Sequence, residues 1–168
     1  SNKQVVIVTP STILCDQHYN SFIKRYENFP ITIKKLNRFN STKNKSSIMD
    51  DFNNNKVDIL ITTHIIFNHD MNFDNTGLLI IDEEHKFGIK QKNFIKDKQE
   101  NIHILYLSAT PIPRTMNLVF SGLKDFSFLQ TPPSNRISIK SFLKLQKSQL
   151  IKEALSREKI RNGQCFIV

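Results

Sequence analysis

Three acids and a histidine stand together near the middle of the chain, Asp82-Glu83-Glu84-His85, directly after the apolar run Leu78-Leu79-Ile80-Ile81. Adjacent carboxylates repel, so a pair at the end of a buried segment calls for a compensating partner. A divalent cation is one such partner. Mg2+ takes oxygen ligands and bridges phosphate oxygens, which places Asp82 to hold a magnesium nucleotide, directly or through water. Glu83 is then placed to orient and deprotonate an attacking water. A second polar group, Ser108-Ala109-Thr110, follows the next apolar run, Ile104-Leu105-Tyr106-Leu107. His85 would link the acids to those hydroxyls. Taken alone, Asp-Glu-Glu-His is more often a solvated turn. The apolar run before it and the second polar group after it favour a site.

The elements that must position these residues are visible in the hydrophobic pattern. Val5–Val8, Val57–Ile61, Leu78–Ile81 and Ile104–Leu107 are short, continuous and rich in branched residues, as expected of strands buried on both faces. A further strand is expected from Ile31 to Leu36. Between the first two lies a helical pattern through Ile13, Leu14, Tyr19, Phe22, Ile23 and Tyr26, with Ser11 or Thr12 as its cap. A polar stretch from Asn37 to Ser47 precedes a short helix carrying Ile48, Met49 and Phe52, and Asn53-Asn54-Asn55 forms a turn. Strands alternating with crossovers predict an α/β fold, a mostly parallel sheet with helices on both faces. Ligands of such sheets bind beyond the carboxyl ends of the strands. Thr9-Pro10, Thr62-Thr63-His64, Asp82–His85 and Ser108–Thr110 all fall there.

The pattern changes after Thr131-Pro132-Pro133, which reads as a linker. Ile137–Phe142 alternates as a strand would. A helix with Leu150, Ile151, Ala154, Leu155 and Ile160 should end at a left-handed Gly163, and Cys165–Val168 should open a strand. The organisation expected is one domain over residues 1–134, then a linker and the start of a second domain over 135–168.

Composition limits the function. The 168 residues carry 24 Lys and Arg against 15 Asp and Glu, a net charge of +9. That balance favours a polyanionic partner, nucleic acid being the common one, or else a lysine drift with no partner. Cys15 and Cys165 form neither a close-spaced metal pair nor a disulfide framework and fit a reducing cytoplasm. No apolar run approaches the ~18 residues of a membrane span.

The combination of a buried strand, Asp-Glu-x-His and then Ser-Ala-Thr resembles motifs II and III of the superfamily 2 helicases. Leu78–Gly88, Ala109-Thr110-Pro111-Ile112-Pro113-Arg114-Thr115 and Ser121-Gly122-Leu123-Lys124-Asp125 narrow the resemblance. They are similar to the bacterial DNA translocases that include the transcription-repair coupling factors and the RecG-type fork helicases. Glu84, Gln17-His18-Tyr19 and Asn37–Ser41 are nearer the coupling-factor type. The resemblance implies a RecA-like motor domain that hydrolyses ATP with Mg2+ and moves on double-stranded DNA. Asp82 would bind Mg2+, Glu83 would activate water, and His85, Ser108 and Thr110 would couple hydrolysis to motion. Thr9, Pro10, Ser11 and Thr12 match motif Ia and Thr63-His64 motif Ib, both near the DNA backbone; Arg38 and Arg114 are further DNA candidates. RNA polymerase and nucleotide-excision repair proteins are partners implied for a longer parent protein.

The departures from the family are equally specific. No G-x-x-x-x-G-K-[ST] phosphate loop occurs, and the glycines are Gly77, Gly88, Gly122 and Gly163. The resemblance implies that the loop lies before Ser1 and the second domain's arginine fingers after Val168, so this chain alone is expected to be inactive as an ATPase. Thr62 stands where motif Ib usually has glycine. Three rival functions are a RecG-type helicase, a non-enzymatic nucleic-acid-binding remnant, and a metal-dependent nuclease; the last lacks further acids at other strand ends.

Overall fold

The computed structural model describes residues 3–68, 71–98, 102–109, 125, 127–131, 139 and 141–168. Its first compact unit, Ser1–Lys124, is organised on five strands: β1 (Gln4–Thr9), β2 (Ile33–Leu36), β3 (Ile59–Thr63), β4 (Thr76–Asp82) and β5 (His103–Leu107). All pair in parallel, in the order β2-β3-β1-β4-β5. β1 is flanked by β3 and β4, with Val8 opposite both Thr62 and Ile81. A continuous apolar run suits this position because both of its faces are covered.

Helix α1 (Thr12–Arg25) covers one face. Cys15, Tyr19, Phe22 and Tyr26 meet Ile7, Ile33, Ile59 and Ile61 there. Helix α2 (Thr42–Asn53), the 3-10 turn His64–Asn68 and helix α3 (Ile89–Lys98) belong to the other face. Ile48, Phe52, Ile66 and Ile95 join Val6, Val8, Leu60, Leu79 and Ile81 in the larger core. The pleat explains the division, since Val6 and Val8 point one way and Ile7 the other. At the opposite end of β1, Gln4 is buried and its side-chain amide donates to Phe52 O at 3.0 Å and Val57 O at 2.7 Å.

Local chemistry sets the helix ends. Ser11 caps α1, accepting from Leu14 N at 3.3 Å. Ser41 caps α2 through Asn44 N at 3.3 Å. That helix therefore starts at Thr42, inside the polar stretch expected to precede it. The polar residues of its first turns are compatible with a solvent-facing helix surface. α2 ends with Asn55 at φ 58°, where Asn55 N donates to Phe52 O at 3.0 Å and Lys56 N to Asp51 O at 2.8 Å. These two bonds satisfy carbonyls that the last helical turn leaves open.

β5 is also a correction. It was expected to be buried on both faces, but it is one of the two edge strands among the described residues, β2 being the other. Ile104 and Tyr106 pack on the larger core, whereas Leu105 and Leu107 are 46% and 39% exposed. α1 lies over β1, β2 and β3, and no described helix covers that face of β5.

The second unit, Asp125–Val168, contains a helix at Ser148–Ile160. Its left-handed cap residue is Asn162 (φ 55°) rather than the expected Gly163. Asn162 N donates to Lys159 O at 3.2 Å and Gly163 N to Glu158 O at 2.8 Å. Residues 165–168 form no strand and are exposed, because no described strand pairs with them. Ile139, Ser141 and Phe142 are irregular; Pro132, Pro133 and the other half of the expected strand at 137–142 lie outside the described residues.

Candidate functional site

Parallel pairing brings the carboxyl ends of all five strands to one end of the sheet. β1 leads into α1 on one face, and its neighbour β4 leads toward α3 on the other. Where neighbouring connections diverge in this way, a crevice opens beyond the strand ends. Thr9 ends β1 and Asp82 ends β4 at that point of divergence.

Asp82 is the last residue of β4. Its carboxylate faces the α1 side, as Ile80 does, and its Oδ2 lies 3.3 Å from His18 Nε2. Glu83 is in the left-handed conformation, φ 53° and ψ 57°. A non-glycine residue there costs roughly 1–3 kcal/mol of backbone strain. The turn sends the Glu83 side chain toward the end of β5, away from Asp82. Glu83 N donates to Leu107 O at 2.9 Å. Its Oε2 accepts from Ser108 Oγ at 3.3 Å, and its Oε1 from Ala109 N at 3.4 Å. His85 Nδ1 lies 3.2 Å from the same Oε2. Two acids adjacent in sequence are thus held by different elements.

Glu83, His85 and Ser108 therefore come together, while the Asp82 side chain, at the same end of the sheet, meets His18 instead. Thr110 and Arg114 lie outside the described residues. The nucleic-acid candidates divide by exposure. Thr9 and Thr63 are buried at 0% and 3%, and Thr9 Oγ1 lies 3.1 Å from Ser11 O and 3.2 Å from Thr62 O. Both lie inside the strand ends, where the Thr9 hydroxyl ties β1 to β3. Pro10, Ser11 and Thr12 are half-buried at the start of α1, and His64 is exposed. Arg38 follows β2 at the same end of the sheet, exposed, with its guanidinium 4.9 Å from the Phe39 ring centre. Thr62, at the usual glycine position, is fully buried, with its hydroxyl 3.1 Å from Thr63 O.

The metal-site chemistry is spare. Among the described residues, no three His, Cys, Asp or Glu side chains gather into a cage. A single carboxylate at a crevice mouth fits Mg2+ brought in with a nucleotide, because that ion is commonly held by one or two carboxylates plus substrate phosphates and water. Cys15 contributes no nucleophile. It is fully buried with its Sγ 3.5 Å from Ile61 O; burial first, and the Asp16 carboxylate second, push its thiol up to about 11.

Sequence reasoning met His18 only as part of Gln17-His18-Tyr19 and gave it no role at the site. Its signal was a polar residue at the inner spacing of α1, three positions after the buried Cys15. The left-handed Glu83 had no sequence signal at all.

A DEAD/DEAH box helicase family model matches residues 1–119. The chain is 45% identical over 166 residues to the transcription-repair-coupling factor of Haemophilus influenzae and 43% identical over 166 residues to that of Escherichia coli. Each alignment takes in 99% of this chain and 14% of the relative. The chain thus spans about a seventh of the length of these relatives. Among solved structures, RecG bound to a three-way DNA junction has a TM-score of 0.76 and 31% identity, covering 98% of this chain and 22% of RecG. The RecA-like helicase fold expected from the sequence is the fold observed. No described helix is long and apolar enough to cross a membrane.

Proposed function

The chain belongs to the DEAD/DEAH box helicase family, and from that premise we propose that it is part of an ATP-driven double-stranded DNA translocase of the transcription-repair coupling type. Residues 1–134 would supply the first motor domain from motif Ia to motif III, and residues 135–168 a linker and the opening of the second. The observation that carries the reading is the separation of the two carboxylates. Asp82 faces the crevice beside α1, while Glu83 is tied to the Ser108–Ala109 segment.

Asp82 would hold Mg2+, which when bound with ATP neutralises phosphate charge. Glu83 accepts a proton from water at a carboxylate oxygen. Ser108 and the Ala109 N–H fix the direction of that carboxylate, and His85 stands against its Oε2. A change at Glu83 on hydrolysis is therefore felt by the segment after β5, which is how hydrolysis would be coupled to motion. Thr110 would belong to that segment, and Arg114 would act near DNA. Pro10, Ser11, Thr12, His64 and Arg38 would contact the backbone of DNA, where hydroxyls, helix starts and cations read phosphate rather than sequence. Thr9 and Thr63 would support those loops. RNA polymerase, nucleotide-excision repair proteins and a cytoplasmic location follow as parts of the same proposal. The RecG match supports a fork-helicase reading second, at lower identity than the coupling factors.

The test is binding of this chain to duplexes of unrelated sequence at low and moderate salt. Affinity should be alike across sequences and fall steeply with salt, because phosphate contacts release counterions. Strong preference for one sequence, or salt-insensitive binding, would contradict the reading.

A further inference from the structure

Cys15, Tyr19 and Phe22 turn the inner face of α1 to the sheet, and His18 falls within that spacing, one turn after Cys15. A polar ring at this position needs a hydrogen-bond partner. Among the described residues its partner is Asp82, with Nε2 and Oδ2 3.3 Å apart across the crevice between β1 and β4. The side chains are 32% and 17% exposed, so the contact is shielded from bulk water more than an ordinary surface pair. An ionised carboxylate can only accept, which assigns the proton to Nε2. The contact engages one oxygen of Asp82. No hydrogen bond to the other, Oδ1, is found among the described residues.

We infer that His18 is a positioning residue for Asp82, fixing its carboxylate through Oδ2 and leaving Oδ1 for a divalent cation. This rests on the metal role proposed for Asp82. It also makes α1 a bridge, since the helix that begins with the Ser11 cap and Thr12 would steady the nucleotide side of the crevice. Partners that orient a metal ligand commonly matter for affinity as much as for direction.

The experiment uses the 15N-labelled chain with Mn2+ alone as the probe, an ion that shares the oxygen preference of Mg2+ and broadens nearby resonances. The Asp82 and Glu83 amide signals should broaden at lower Mn2+ than those of the surface acids Asp50 and Asp58. In His18→Leu the same broadening at Asp82 should need at least about threefold more Mn2+, in line with a lost supporting shell. In His18→Gln, whose amide N–H can stand near the place of Nε2, it should stay within about twofold of the parent chain. His18→Asn, too short to reach Oδ2, should behave like His18→Leu, and it decides the matter if His18→Leu loses spectral dispersion. Unchanged Mn2+ response in His18→Leu or His18→Asn, or a His18→Gln response as weak as theirs, overturns the positioning role alone. Absence of selective broadening at Asp82 in the parent chain overturns cation binding by the Asp82 carboxylate itself, and the inference with it.

Discussion

The strand-end site and the helix Ser148–Ile160 begin from comparable sequence signals and reach different outcomes. Both are built on apolar residues at regular spacing. Around β1 those residues meet covered faces, and Val6, Val8, Leu60 and Phe52 are all fully buried. In Ser148–Ile160 no residue is buried, and Leu155 and Ile151 remain 40% exposed. The helix is closed by its own backbone bonds at Asn162 and Gly163, while its apolar stripe stays open. Periodicity specifies which face is apolar; only a second surface turns that face into a core. Precise placement of carboxylates belongs to the region where the second surface exists.

Substitutions can break this comparison. The largest effect is expected from Phe52→Ala, which removes a fully buried ring packed near Phe73. It should lower unfolding free energy by roughly 3–5 kcal/mol, read by urea denaturation. A loss below about 1 kcal/mol would mean that the larger core is loosely packed.

Alkaline pH should act through Cys15. Its thiol is raised from 9.0 to about 11 by burial and Asp16. Between those values the folded chain keeps a proton that the unfolded chain has lost. The contribution is therefore present below pH about 9 and declines as pH rises toward about 11. A Cys15→Ala chain should show a shallower loss of stability over that window. In native alkylation at neutral pH, the exposed Cys165 should react and Cys15 should not, with both reacting in urea.

Ser11→Ala should cost about 1 kcal/mol by removing the cap of α1. The smallest effect is expected in the second unit, where Leu155→Ala should change stability by no more than about 0.5 kcal/mol. A Leu155→Ala cost approaching that of Phe52→Ala would erase the contrast between the two regions.

The central strands were legible in the sequence because burial on both faces leaves a continuous branched run. The placement of Asp82, Glu83, His85 and Ser108 at one end of the sheet was legible because polar residues follow such runs where parallel strands end. The start of α2 was not, since an exposed polar helix surface and a loop share a composition until the Ser41 cap decides between them. The edge position of β5 was hidden because an apolar run does not say what covers it. Cys165–Val168 had the residues of a strand but no described neighbour to pair with. His18 was hidden for a different reason: its partner lies 64 residues away and is adjacent only after β1 and β4 pair.

The central claim is that the two adjacent acids have separate duties, Asp82 for the cation and Glu83 for water. The most direct measurement is the steady-state ATPase of a full-length protein carrying this segment, with duplex DNA, as Mg2+ and ATP are varied in Asp82→Asn and Glu83→Gln. Glu83→Gln should lower kcat by about 10²–10⁴, the usual range for loss of a general base, with little change in Mg2+ requirement or nucleotide KM. Asp82→Asn should instead raise the Mg2+ concentration needed for half-maximal rate. Near-parental kcat in Glu83→Gln, or the same kinetic signature in both variants, would contradict the division of roles.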